Sequence, residues 1–462
     1  MPRSDQKETR TSNDDLPLAT MTCPSCEIVS HILVACLPGH RRTRPSSRKV
    51  PLTLVQICSR WRSIALATPE LWASPDLHLT YRSTAKGLLP LLDTWILRAK
   101  RHPLSLTLRS KQSLPSPIRS VIPSLFERLQ YLELDLLAAD LSHFHVPLPS
   151  LHHLALAGAF STEALTAILR NTPCLRELRL PNFNNASQFH LALPSLTILE
   201  IGAVLPTTIL RILTNYPSLS ELKCTAQGRL DGDATPTTFP ALRSLAISNY
   251  SGVLRHITLP SLTKLSVNGE DAEEVDSFVV RSGCLIAHLA CTPHDLSPRE
   301  LRWWLDASKS IVRLEMNVGP QINVLLTHLL SRPQDTYFST ADGILPHRVP
   351  KLVDLVITTS SIDIDYELVV ALLAVRPGCE RLRTFHITIG ITHGSDIRHK
   401  RLFCGCPGPL ASARLAVAPC NFALRFIIRN PYGQDRLLWD HRTGTAIHDT
   451  ESDFPEGASA EY

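Results

Sequence analysis

A phrase of leucines that returns at a nearly fixed period constrains this chain more than any other feature. A proline or turn residue is followed by Leu, two variable positions, Leu, one variable position and an apolar residue. The instances are Leu129-Leu132-Leu134, Leu151-Leu154-Leu156, Leu175-Leu178-Leu180, Leu196-Leu199-Ile201, Leu219-Leu222-Cys224, Leu242-Leu245-Ile247, Leu262-Leu265-Val267, Ile286-Leu289-Cys291, Ile311-Leu314-Met316, Leu352-Leu355-Ile357 and Leu382-Phe385-Ile387. Most lie 20 to 25 residues apart. Self-similarity at such a period defines a repeat architecture. Alternate residues of a short strand point into one core, and the chain must travel back over that core before it lays the next parallel strand. Leu104 to Leu108 reads as an earlier strand and Leu77 to Leu79 as the first.

The return path is helical wherever apolar residues recur at i and i+3 or i+4. That spacing predicts helices over Leu88 to Lys100, Thr162 to Asn171, Ile209 to Asn215, Ala272 to Val280, Pro298 to Ser308, Asn323 to Ser331 and Tyr366 to Val375. Ser161-Thr162-Glu163 carries a start signal, and Ser297-Pro298-Arg299-Glu300 fits a capping box. Loops are expected between Leu180 and Leu196, from Cys224 to Leu262, and over Gln334 to His347. The phrase is similar to that of leucine-rich repeat proteins from about Leu77 to Ile389. The resemblance implies a solenoid whose parallel strand ladder lines a concave face. Where that family places an asparagine, three residues after the last leucine, this chain has Ala159, Phe183, Val204 and Tyr250, so an irregular arc is expected.

Ahead of the array lies the stretch Val50 to Leu79, VPLTLVQICSRWRSIALATPELWASPDLHL. Leu54, Cys58, Trp61 and Ala65 recur at helical spacing, with Ile57 and Ile64 widening the stripe, and predict one amphipathic helix. Thr68-Pro69-Glu70 reads as an N-cap, a proline at the first helical position and an acid in the first turn, restarting a short helix with Leu71 and Trp72. A strand at Leu77-His78-Leu79 should follow. An earlier helix is predicted over Glu27 to Leu37, ended by Pro38.

These residues resemble the F-box of fungal, mostly mushroom-type, F-box proteins. Gln56 to Arg62, Ile64-Ala65, Thr68-Pro69 and Leu71-Trp72 match its second half, and Pro24, Glu27-Ile28, Ile32-Leu33 and Leu37-Pro38 its opening helix. The expected fold is therefore α/β, a small helical F-box followed by an irregular leucine-rich repeat solenoid. Residues 1–20 read as a disordered leader, 21–76 as the F-box-like domain with a basic insert at 39–51, 77–390 as the solenoid, and 391–462 as a cap with an acidic tail. The resemblance implies a non-catalytic receptor that docks on a Skp-type adaptor of a cullin ubiquitin ligase and presents a target protein. Ile28, Ile32, Leu33, Leu54, Cys58 and Trp61 are the expected adaptor contacts. A repeat scaffold without ligase engagement is the alternative, and a cytoplasmic or nuclear location suits either.

Composition excludes more than it assigns. With 44% hydrophobic and 19% charged residues the chain can bury a large core, and a net charge of +5 over 462 residues nominates no polyanion. The polar opening has no signal-peptide pattern. The longest apolar run, Leu368 to Val375, is far short of the roughly 20 residues a membrane span needs. The twelve cysteines are expected as packed or exposed thiols. Cys23-Pro24-Ser25-Cys26 lacks the strand of a redox unit, and Cys404-Gly405-Cys406 with Cys379 and Cys420 lacks a second pair at zinc spacing. No phosphate loop, nucleophile elbow or zinc helix is present. Neither a cofactor nor catalysis is expected.

Strand alternation instead points to an exposed ladder flanking the fourth residue of each phrase. One row reads His153, Glu177, Ile198, Glu221, Ser244, Lys264, His288, Arg313, Asp354, Thr384, and the other Ala155, Arg179, Glu200, Lys223, Ala246, Ser266, Ala290, Glu315, Val356, His386. Of these, His153, Glu177, Arg179, Glu200, Lys223, Lys264, Arg313 and Glu315 are the expected target contacts. Glu177, Glu200, Glu221 and Glu315 would repel phosphate, which disfavours nucleic acid. Lateral pairing of Arg179, Glu200 and Lys223 on a solvated face is the plainer expectation.

Overall fold

Val29 and Leu33 lie four residues apart on one helix and are both buried, and around such stripes the first part of the chain assembles. The computed structural model describes residues 25–38, 43, 49–79, 85–158, 160–183, 193–230, 232, 235–249, 251–269, 272–292, 304, 310–330, 351–359, 364–374, 382–392, 421–429 and 435–440. The chain divides into two compact units between Gln130 and Tyr131, beyond the 76/77 junction expected from the motifs.

In the first unit, α1 (Cys26–Ala35) starts at Ser25, whose hydroxyl accepts from the Ile28 amide at 3.3 Å. The single helix expected through Leu54 to Ala65 is in fact two pieces. A 3-10 turn, Leu54–Gln56, stops at Ile57, and α2 (Ser59–Ala67) begins afresh. Cys58 sits between them in an extended conformation as the N-cap, its Sγ accepting from the Trp61 amide at 3.4 Å. Thr68 does precede a 3-10 turn, Pro69–Leu71, yet it does not cap it with its side chain. Its hydroxyl donates backward to the Ile64 carbonyl at 2.8 Å and contacts Ser30 Oγ of α1 at 3.1 Å. The tie between the two helices is thus made by the residue expected to begin a third.

Two parallel strands follow, β1 (Asp76–Leu79) and β2 (Leu104–Ser110), with α3 (Ala85–Ala99) as their crossover. Thr43, within the basic insert, is buried and adds one parallel bridge beside Pro75: its amide donates to Ser74 and its carbonyl accepts from Asp76, both at 3.0 Å. A short helix α4 (Ser116–Val121) and a 3-10 segment, Ile122–Arg128, complete the unit. Arg128 donates to the carbonyl of His102 at 2.9 Å.

The strand β3 (Leu129–Asp135) spans the division. Each later phrase is a strand: β4 (His153–Leu156), β5 (Glu177–Leu180), β6 (Ile198–Val204) and β7 (Glu221–Ala226) come first. A two-residue strand β8 (Thr237–Thr238) precedes β9 (Ser244–Ser248), and β10 (Ile257–Thr258) pairs with β8 in a small parallel sheet of its own. Then come β11 (Lys264–Asn268), β12 (His288–Thr292), β13 (Arg313–Asn317), β14 (Asp354–Thr359), β15 (Thr384–Thr392), β16 (Asn421–Arg429) and β17 (Asp435–Asp440). From β3 to β16 the large sheet is parallel in chain order, skipping β8 and β10, and β17 turns back antiparallel on β16. The sheet is open, as in an α/β solenoid.

The returns are α5 (Thr162–Arg170), α6 (Pro206–Asn215), α7 (Ala272–Ser282), α8 (Ile322–Leu330) and α9 (Tyr366–Ala374). Ser161 caps α5 as its sequence predicts, accepting from the Ala164 amide at 3.2 Å. The expected helix at Pro298 to Ser308 and the capping box before it lie outside the described residues, Trp304 apart; so do Gln334 to His347, the leader and the acidic tail. The region from Cys224 to Leu262, expected as loop, also holds a 3-10 turn, Val253–His256. The leucines of the phrase and the inward faces of the returns, such as Leu165, Ile168 and Leu169, are buried together. Among the described residues, no helix is long and apolar enough to cross a membrane.

Candidate functional site

The two outward rows of the second unit fall in the register that alternation requires. His153, Glu177, Ile198, Glu221, Ser244, Lys264, His288, Arg313, Asp354 and Thr384 are successive partners from β4 to β15, and Ala155 through His386 form the second row. Tyr131 and Glu133 extend both rows one strand earlier, opposite His153 and Ala155. Their phrase was legible, and the same alternation applied to Leu132 finds them.

The first strands carry a connected polar network. Tyr131 stacks on His153 with ring centroids 3.9 Å apart and planes 12° apart, and its hydroxyl donates to Glu133 at 3.0 Å. His153 Nδ1 lies 2.7 Å from Glu177 Oε2, and Arg179 bonds to Glu177 at 2.6 Å. Arg179 Nε is 3.8 Å from Glu200, whose other oxygen meets Lys223 Nζ at 2.7 Å. The lateral Arg179-Glu200-Lys223 pairing expected from sequence is present. His153 corrects that reading: under the Tyr131 ring it is only 8% exposed, so it supports the face rather than presenting a contact. Further along, Arg313 Nε bonds to Glu315 at 2.7 Å, and Thr384 donates to Asp354 at 2.5 Å.

The Glu177 carboxyl is held below the usual carboxylate range, first by its hydrogen bond with His153 and further by the charges of His153 and Arg179, against the opposing effect of burial. A carboxyl lowered in the fold contributes stability above its ordinary value, 4.5, and loses it as pH falls through the lowered one. Replacing Glu177 by Gln should therefore shrink the stability difference between neutral pH and about pH 3, by less than about 1 kcal/mol because the pair is partly solvated. Urea midpoints at the two pH values measure it, and an unchanged difference would show that the network does not form in solution.

The first unit presents a different surface. Ile28 is 53% and Ile32 43% exposed on one face of α1, one turn apart, and Ile57 is exposed beside the break before α2. Leu33 and Leu54, expected as adaptor contacts, are instead buried and hold the unit together. Cys58 is exposed and Trp61 half-buried. Apart from the side that carries Glu27, Ser30 and His31, α1 is apolar, and contact with α2 decides which apolar stripe faces inward.

Chemistry is sparse. Among the described residues, no group of His, Cys, Asp and Glu is arranged to hold a metal. Cys379, Cys404, Cys406 and Cys420 lie outside them, as does Cys23. Cys224, Cys284 and Cys291 are buried free thiols, and burial pushes the Cys224 thiol up to about 12, so it packs as a small apolar side chain. Cys26, Cys36, Cys58 and Cys174 are exposed. No protein-family model matches the chain.

Proposed function

We propose that this protein is a substrate-recognition subunit of a cullin-type ubiquitin ligase, holding a Skp-type adaptor through its N-terminal helices and a target protein through its strand ladder. The observation that carries the reading is the Ile28 and Ile32 pair. Two large apolar side chains one turn apart, left outside a helix whose Val29 and Leu33 already supply its inward face, suit a partner helix laid against them. The F-box resemblance of the same residues supplies the partner's identity. Ile28, Ile32 and Trp61 remain as contacts, with exposed Cys58 between the helical pieces, and Ile57 joins them. The receptor works by proximity: it raises the local concentration of the target near the conjugating enzyme and performs no bond chemistry itself.

Capture on immobilised, purified adaptor tests this. The full chain should be retained, and Ile32→Asp should lower retention at least tenfold, since a carboxylate forced into an apolar interface loses its hydration. A chain that is not retained, or is retained equally after the substitution, would leave the alternative, a repeat scaffold that binds proteins outside a ligase.

A further inference from the structure

The outward face of the ladder is divided by charge. From β3 to β7 it carries Glu133, Glu177, Glu200 and Glu221 against Arg179 and Lys223. From β11 to β13 one row reads Lys264, His288, Arg313 on adjacent strands, with Glu315 as the sole carboxylate in the row beside it. Between the two blocks stands β9, whose outward residues are Ser244 and Ala246, and the second row continues with Ser266 and Ala290. The middle of the face is therefore low, and a charged block rises on each side.

The groups nearest the divide are available. Glu221, Lys264 and His288 are exposed and have no ion-pair partner among the described residues. By contrast Glu177 and Glu200 are already held by Arg179 and Lys223, which fixes the acidic block in place. Glu221 and Lys264 stand on strands two places apart, about 10 Å at a strand spacing near 4.8 Å. An extended chain covers that distance in about three residues.

We infer that the ladder takes an extended segment of the target protein whose charges are segregated: Lys or Arg over Glu221 and its neighbours, about three small residues over β9, and Asp or Glu over Lys264, His288 and Arg313. Complementary blocks set the register of such a segment and speed its encounter. A segment of the same composition with alternating charges meets like charge at every second position. The inference rests on the reading of this face as the target-binding surface, and it names the chemistry of what is bound.

Fluorescence anisotropy on the full chain tests it with two labelled peptides of equal composition. One has a basic block, a Ser-Gly-Ser spacer and an acidic block; the other has the same residues with charges alternating. The segregated peptide should bind about tenfold or more tighter at low salt, and its advantage should shrink as salt screens the face. Lys264→Glu and Arg313→Glu together should abolish the preference, and Glu221→Lys should weaken it severalfold. These are surface positions, and circular dichroism reports whether the variants stay folded. Equal affinity of the two peptides, failure of both to bind, or indifference to the charge reversals would overturn the inference. Adaptor capture is separate: a chain retained by the adaptor that ignores peptide charge order loses this inference alone, and one that reads charge order without adaptor capture loses only the ligase reading.

Discussion

Replacing Trp72 by alanine should destabilise the first unit by about 3–5 kcal/mol, the largest effect expected of any single truncation there. The indole is fully buried and does three things at once. Its Nε1 donates to the Ala65 carbonyl near the end of α2 at 2.9 Å. It meets Trp95 of α3 edge to face, with centroids 5.4 Å apart and planes at 88°. The Arg98 guanidinium stands 4.4 Å from its ring centre. The aromatic pair and the cation contact are each worth about 1 kcal/mol beyond burial, and a cavity of indole size cannot be closed by side chains already packed on it. Hydrogen exchange reads the result: amides between residues 25 and 130 should lose protection, those of α2 and α3 most. Trp72→Phe is the control. It keeps an aromatic ring and loses the donor to Ala65, so it should fall between wild type and alanine. Equal exchange in all three proteins would contradict the packing described.

Trp72 also shows what a sequence can and cannot disclose. Its place after Thr68-Pro69 marks the end of the helical pair, but its ring partner, Trp95, lies in a helix recognisable only by periodicity. The strand ladder was legible to the residue, because leucine anchors a period of two and a slip of one position would turn every anchor outward. Thus Glu177, Glu200 and Lys223 stand where alternation puts them. Helical spacing is less exacting. Leu54, Cys58, Trp61 and Ala65 satisfy it across a break that Cys58 makes by capping α2, and no local signal marks a thiol as a cap. Which stripe of α1 turns inward was equally hidden, since Ile28-Ile32 and Val29-Leu33 are interchangeable in hydrophobicity and only the packing of α2 separates them. The burial of His153 depended on Tyr131, a neighbour across strands rather than along the chain. Thr43 in the basic insert pairs through its backbone, to which composition is blind.

The second large effect is expected at Gly158, two residues past the last apolar position of its phrase. The same repeat position holds Asn182 and Asn249, whose side-chain amides donate back to the preceding repeat, to the carbonyls of Ala157 and Ala226. These two asparagines bridge adjacent turns of the ladder. At Gly158 the turns come closer still. A β-carbon would collide with the carbonyl oxygen of Leu136 and lie 3.2 Å from its nitrogen and 3.3 Å from its carbonyl carbon. All three are backbone atoms, which cannot rotate aside as a side chain can, so relief requires the chain after β3 and the chain after β4 to separate. That movement strains the pairing just upstream, where the Ala157 amide donates to Leu134 at 2.9 Å. Gly158→Ala should cost about 3 kcal/mol, the upper end for an overpacked site, and Gly158→Asn at least as much, even though asparagine serves the equivalent position in two other repeats. A stability scan in urea and the exchange of the Ala157 amide measure both. If Gly158→Ala leaves the midpoint unchanged, the two turns are not in the contact described, and the close stacking that brings Tyr131 over His153 at the start of the same strand pair loses its structural basis.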